Sequence, residues 1–223
     1  MPQKNDDLAA LEAFLVNNPE LENLESLLSQ INIFEVLGAV RQEIRHSEFL
    51  AYLMNPQENH GLGDYFVRRF LQAVVSEGVY EKLPFTGIDL DIWDLSDLEV
   101  RREWRGIDIC LLSSRLELVV NIENKIGSGE HSNQLTRYRQ IIQHEFPLWK
   151  KLSIFLTPEG EMPTDDRYFW ISYQSICKII EDIVTAREAS LEPDVLSMME
   201  HYTRMLRRHI VSGSEIEALC QRI

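Results

Sequence analysis

Residues 106–125 read Gly-Ile-Asp-Ile-Cys-Leu-Leu-Ser-Ser-Arg-Leu-Glu-Leu-Val-Val-Asn-Ile-Glu-Asn-Lys, and this stretch decides the fold. Two apolar runs with strand character flank a short polar turn at Ser113, Ser114 and Arg115. Side chains of a strand alternate between faces, so Leu118, Val120 and Ile122 point one way and Asn121, Glu123 and Lys125 the other. Asp108 interrupts Ile107, Ile109 and Leu111 in the neighbouring run. An acid and an amine on one face, with a second acid on the adjacent strand, cost several kcal/mol if buried without compensation. A divalent cation is the best candidate for offsetting that cost.

Working outward, the chain reads as helices, then a meander, then a crossover. Residues 6–16 and 20–31 predict short amphipathic helices, broken near Asn17-Asn18-Pro19. Residues 35–54 predict one longer helix ended by Asn55-Pro56, because the residue before proline resists helical geometry. Leu62–Glu77 predicts another, stopped by Gly78. Residues 79–97 contain Pro84, Gly87 and several aspartates, and read as loop with a short strand around Ile88–Ile92. Strands are expected at 98–104, 106–112 and 116–124. Gly127-Ser128-Gly129 then turns the chain into a helix from Ser132, a suitable N-cap, to His144. A fourth strand at Lys151–Leu156, a turn-rich loop over Thr157–Asp166 and a fifth strand at Tyr168–Ile171 follow. Helices at 173–187 and 193–210 and a tail helix at Ser214–Gln221 close the chain. The expected fold class is α/β, a mixed sheet with helices on its faces.

Composition narrows the function. The chain has 223 residues, 44% of them hydrophobic, enough for one well-packed domain. Cys110, Cys177 and Cys220 form no Cys-x-x-Cys pair, which argues against a disulfide framework or zinc site and suits a reducing cytoplasm. Neither an N-terminal signal nor a bilayer-length apolar run is visible, so the expected location is cytoplasmic, without a membrane partner. The formal net charge of −14 runs against the basic footprint usual in nucleic-acid binders. The charge is uneven, however: acid gathers in 1–30 and 77–99, and arginine at Arg41, Arg45, Arg68, Arg69, Arg101, Arg102, Arg105, Arg137, Arg139, Arg204, Arg207 and Arg208. A local basic groove and a mosaic of solvated faces both fit that distribution.

Asp108, fourteen intervening residues and then Glu123-Asn124-Lys125, set in this element order, resemble the PD-(D/E)XK nuclease superfamily. Glu43-Ile-Arg-His-Ser-Glu-Phe-Leu-Ala-Tyr-Leu-Met-Asn-Pro56, followed by His60-Gly61, is similar to the N-terminal signature of one bacterial subgroup. Gln134-Leu135-x-x-Tyr138 resembles the helical motif after that subgroup's Glu-x-Lys strand. Leu156-Thr-Pro-Glu-Gly160, Ile171-Ser-Tyr173 and His201-Tyr202 to His209 resemble its later landmarks. The likeness spans roughly residues 33–210. One departure stands out: Ile107 precedes Asp108 where the superfamily's name places proline.

The resemblance implies a restriction-endonuclease-like sheet in one domain, with 1–32 as a helical extension, 33–173 as the catalytic core and 174–223 as C-terminal helices. It implies a metal-dependent DNA endonuclease using Mg²⁺ or Mn²⁺, acting in defence, restriction or repair. Asp108 and Glu123 would be the metal ligands, joined by the backbone carbonyl of Asn124, since hard carboxylate oxygens suit Mg²⁺. Lys125 would orient the attacking water or stabilise developing negative charge. Glu43 is the implied third acid. His46 and Ser47 share its helix face at i+3 and i+4 and would contact substrate phosphate. Gln134 and Tyr138, one turn apart, would hold the hydrolytic water or a phosphate. Glu103 is a further acid near the site.

Other readings stay open at this stage. A catalytically silent scaffold of the same fold fits the acidic balance, and a hydrolase of RNA or another phosphoester fits the same residues. A homodimer or a regulatory protein partner is a further expectation. Gly127-Ser128-Gly129 is no phosphate loop, because no Gly-Lys-Ser/Thr follows. Cys110 reads as core and not as nucleophile. The six histidines lack metal-ligand spacing.

Overall fold

A computed structural model of the chain describes residues 11, 14, 16, 18–77, 83–127, 129–130, 133–213 and 215–222. The helix expected at 6–16 falls largely outside them, as does the N-cap at Ser132. Helix α1 (Pro19–Ser29) starts where expected: Asn18 accepts from the Glu20 and Leu21 amides, and proline fills the first turn, where its missing N–H costs nothing.

The single helix expected over 35–54 is two helices, α2 (Ile33–Val36) and α3 (Glu43–Met54). Gly38 causes the break. It adopts φ 66°, its amide donates to Glu35 O at 3.0 Å, and Ala39 N donates to Phe34 O at 2.8 Å. That pair of bonds is a Schellman stop, which glycine completes without Cβ strain. The break makes Glu43 the first residue of α3, a position that matters below. Helix α4 (Tyr65–Glu77) follows. The short strand expected at Ile88–Ile92 is instead a helix, α5 (Gly87–Ile92). Its cause was present in sequence. Thr86 and Asp89 form a reciprocal capping box, with Asp89 Oδ2 accepting from Thr86 N at 2.7 Å.

Strands β1 (Glu99–Trp104), β2 (Ile107–Ser113) and β3 (Leu118–Asn124) form an antiparallel meander. Helix α6 (Gln134–Glu145) then crosses over to β4 (Lys150–Thr157), parallel to β3, and β5 (Tyr168–Ser172) lies parallel to β4. The sheet order is β1-β2-β3-β4-β5. Arg105 and Gly106, both at positive φ, make the tight β1–β2 turn, as a two-residue hairpin loop requires. Helices α7 (Tyr173–Arg187), α8 (Pro193–His209) and α9 (Glu215–Arg222) complete the chain.

The two sheet faces are unlike. Leu111, Val120, Ile122, Leu152 and Ile154 pack into the main core with Leu50, Phe66, Phe70, Ile180 and Met199 from α3, α4, α7 and α8. On the other face Cys110, Leu112 and Val119 meet Tyr138 and Ile142 of α6 in a smaller cluster, edged by Trp104, Phe146 and Trp149. This is the mixed, helix-flanked sheet of a restriction-endonuclease-like fold. No helix among the described residues is long and apolar enough to cross a membrane.

Candidate active site

The register Ile109↔Ile122 and Cys110↔Asn121 carries on to set Asp108 opposite Glu123 on the α6 face. Asn124 N donates to Asp108 Oδ2 at 2.7 Å. Lys125 continues the parallel ladder one residue past β3, its amide donating to Leu156 O at 2.9 Å. Its Nζ lies 2.8 Å from Glu123 Oε1 and 3.6 Å from Glu43 Oε2. Glu43 reaches this point from the N-terminus of α3, and its Oε1 accepts from Ile126 N at 2.9 Å. Gln134, the first residue of α6, donates from Nε2 to Glu123 Oε1 at 2.7 Å and to the Tyr138 hydroxyl at 3.0 Å. Five residues from the start of α3, from β2, from the end of β3 and just beyond it, and from the start of α6 thus converge: Glu43, Asp108, Glu123, Lys125 and Gln134.

The electrostatics are unbalanced. Burial pushes the Asp108 carboxyl above the usual carboxylate range, against the Asn124 amide and Lys125, which favour its charge. Burial and the neighbouring Asp108 charge push Glu123 up as well, despite its bond to Lys125. For Lys125, burial favours the neutral amine, but Glu123, Glu43 and Asp108 outweigh it and hold the pKa above its ordinary value. Two acids with raised pKa values therefore face one amine whose charged form is favoured. Glu103 adds to the repulsion on Asp108. It stands opposite Asp108 between the pairs Arg102↔Ile109 and Trp104↔Ile107, in left-handed backbone at φ 52°.

Glu123 Oε2 and Gln134 Oε1 are buried with no hydrogen-bond partner. Two acceptors left empty beside an acid pair fit a hard divalent cation, which takes carboxylate and amide oxygens and keeps several waters. No group of three or more His, Cys, Asp or Glu side chains among the described residues forms a ready-made metal cage. The donor set present is two facing sheet carboxylates, with Glu43 turned to the Ile126 amide.

The residues expected to touch substrate sit deeper than sequence suggested. His46 is 1% exposed, and both ring nitrogens are used inside the protein: Nε2 on Val40 O at 3.1 Å and Nδ1 on the Tyr202 hydroxyl at 3.0 Å. Burial lowers its pKa to about 4, so it is neutral and has neither charge nor free nitrogen for a phosphate. Ser47 is fully buried and accepts from Asn124 Nδ2 at 3.1 Å. Tyr138 is buried too, its hydroxyl serving Gln134 and packing close against Gly106. Sequence reasoning gave no role to Tyr173 or Tyr202, both fully buried, although each stood in a quoted motif. An aromatic hydroxyl in a motif otherwise made of strand and helix residues was the signal available.

A family model described as the PD-(D/E)XK nuclease superfamily matches residues 31–204. No curated protein and no solved structure matches the chain. The matched span runs from just before α2 into α8, and so contains all five convergent residues and the whole sheet. That match covers well over half of the chain, and the chain belongs to the PD-(D/E)XK nuclease superfamily.

Proposed function

We propose that the protein is a metal-dependent endonuclease that hydrolyses phosphodiester bonds in DNA. The observation that supports this most is the buried Asp108–Glu123–Lys125 group with the partnerless Oε2 of Glu123. A degenerate, purely structural site would have filled that oxygen or replaced the acid, since an unmatched buried polar group costs about 1–3 kcal/mol.

Asp108 and Glu123, with the Asn124 backbone carbonyl, are the residues that would hold Mg²⁺ or Mn²⁺. A divalent ion there supplies Lewis-acid stabilisation of phosphoryl charge and a more acidic water. Lys125 places a compact positive charge where the scissile phosphate would gain negative charge, held in place by Glu123 and Glu43. Gln134 fixes the Glu123 carboxylate through Oε1, leaving Oε2 directed elsewhere. Glu43, tied to the Ile126 amide, limits how far Lys125 can swing.

The test is cleavage of labelled duplex DNA, single-stranded DNA and RNA with Mg²⁺, Mn²⁺ or EDTA, by wild type, Glu123→Ala and Lys125→Ala. Metal-dependent cutting of DNA, lost in both variants, is the expected result. Preferential cutting of RNA would reassign the substrate. A wild type that cuts nothing and binds no metal in calorimetry would leave the scaffold reading in its place.

A further inference from the structure

We propose that Asn124, held by Tyr173 and Ser47, is a positioning residue that fixes Glu43 against the sheet acids and thereby sets divalent-cation affinity. This role rests on the nuclease reading above.

Asn124 is the middle residue of Glu-Asn-Lys, and alternation directs its side chain away from Glu123, toward the main core. Val120 and Ile122 precede it on that face, and an apolar side chain would continue the run without burying an amide. Instead Asn124 is fully buried, and both polar atoms of its amide are engaged. Nδ2 donates to Glu43 O at 3.2 Å and to Ser47 Oγ at 3.1 Å, while Oδ1 accepts from the Tyr173 hydroxyl at 2.8 Å. The amide orientation follows from chemistry, because the Glu43 carbonyl can only accept. Meanwhile the Asn124 backbone amide holds Asp108.

One residue therefore ties a sheet acid through its main chain and the helix acid's backbone through its side chain. The tie matters because Gln42, at the N-cap of α3, makes no side-chain cap bond. The Gln42 side chain turns back instead, its Nε2 donating to Gly38 O at 2.7 Å. The cap holds the first turn, where Glu43 sits, through its carbonyl alone, which accepts from Arg45 N at 2.8 Å and His46 N at 3.3 Å. Tyr173 is fixed in turn. The His46 ring packs edge-on against it at 5.7 Å. Because Val40 O can only accept, His46 carries its proton on Nε2, so the Tyr202 hydroxyl donates to Nδ1. A buried polar network with its donors matched is rigid, and α3, β3, α7 and α8 all enter this one. The residues expected from sequence to contact phosphate, His46 and Ser47, act here at one remove, through Asn124 and Glu43.

The test uses the full chain, with Tyr173→Phe and Asn124→Ala compared with wild type and Glu123→Ala. Mg²⁺ and Mn²⁺ affinity is read by calorimetry, kcat and KM on duplex DNA by cleavage, and folding by thermal melting. Both variants should stay folded, bind metal about 10- to 100-fold more weakly and lose kcat by a similar factor, with KM for DNA unchanged. Folded variants with wild-type metal affinity and kcat, whatever their melting temperature, would overturn the role and leave the residues purely structural. Should either variant fail to fold, Ser47→Ala removes one Asn124 contact with little loss of volume and is read the same way. A wild type without metal binding overturns the nuclease reading, and this role with it. A wild type that binds metal beside variants that bind equally well overturns this role alone.

Discussion

Two buried carboxylates, Asp165 and Glu123, are both served by helix α6, and they are treated in opposite ways. Asp165, in the loop between β4 and β5, has a side chain only 2% exposed and is surrounded by donors. Arg139 Nε stands at 3.1 Å, Arg167 Nε at 2.8 Å, Arg167 N at 3.2 Å and Thr136 Oγ1 at 3.2 Å. Burial alone would favour its neutral form, but Arg167 and Arg139 outweigh it and hold the pKa well below the usual carboxylate range. Glu123, 1% exposed, has one ammonium, one amide donor, an acid for a neighbour and an empty oxygen. Its pKa moves up. The lesson is that a saturated buried acid locks a loop, whereas an undersupplied one keeps unfavourable energy that a bound cation can relieve.

The most severe way to sharpen this contrast is to remove the amine. Lys125→Met should lower DNA cleavage by roughly 10²- to 10³-fold or more, the scale of losing one preorganised stabiliser of transition-state charge. Single-turnover assays, with circular dichroism as a check on folding, measure it. Retained activity would show that Lys125 is only a salt-bridge partner.

Stability should respond to the two acids with opposite signs. Asp165→Asn leaves two guanidinium groups without their carboxylate and should cost about 2 kcal/mol, less than a fully buried pair because Arg167 remains 56% exposed. Glu123→Gln should instead stabilise by about 1 kcal/mol while abolishing cleavage, the usual trade between stability and an undersupplied active-site acid. Urea denaturation of both variants decides. A destabilised Glu123→Gln would mean that the site acid is structural after all.

The pH dependence follows from the same shifts. A carboxyl raised in the folded state binds its proton more tightly folded than unfolded, so stability rises as pH falls from neutrality into the ordinary carboxylate range. The advantage of Glu123→Gln over wild type should therefore shrink across that interval. Asp165 works in the other direction: its stabilisation is present above the ordinary aspartate value and is lost as pH falls toward its depressed one. Melting temperatures of wild type and Glu123→Gln between about pH 4 and pH 8 test the first sign, and those of wild type and Asp165→Asn from about pH 4 down to about pH 2 test the second. The smallest effect belongs to Thr136→Val, which deletes one of Asp165's donors and should cost about 0.5–1 kcal/mol in the same urea assay, with cleavage unaltered.

Much of the architecture was legible in the sequence because it rests on local periodicity. The alternation of Leu118 to Lys125 separated the core face from the site face, and Asp108 marked the partner strand. Expected strand positions agree with the observed ones to within a residue or two. Two elements were misread for identifiable reasons. Gly38 terminates a helix through bonds to Glu35 and Phe34, where hydrophobic periodicity runs straight across. The Thr86–Asp89 capping box turns a β-like Ile-x-Leu-x-Ile run into a helix. Both are decided by hydrogen bonds to backbone groups at a helix end, main chain to main chain at Gly38 and side chain to main chain at Thr86–Asp89, which outweigh hydrophobic pattern in short segments.

The candidate site divides in the same manner. Residue types and spacing by themselves determined Asp108, Glu123 and Lys125 as a charged group on one strand face, because β geometry fixes which side chains are neighbours. They also determined that Gln134 and Tyr138 share a helix face, now joined by a 3.0 Å bond. What only the tertiary structure decided is which of the surrounding polar residues meet solvent and which meet one another. His46, Ser47, Tyr173 and Tyr202 come from three helices, and no periodicity within any of them reveals that they meet behind Asn124. Nor could sequence reveal that Asp165 is saturated while Glu123 keeps an empty oxygen. Burial and partner count belong to the packed chain, and they alone separate an acid ringed by donors from one left short of them.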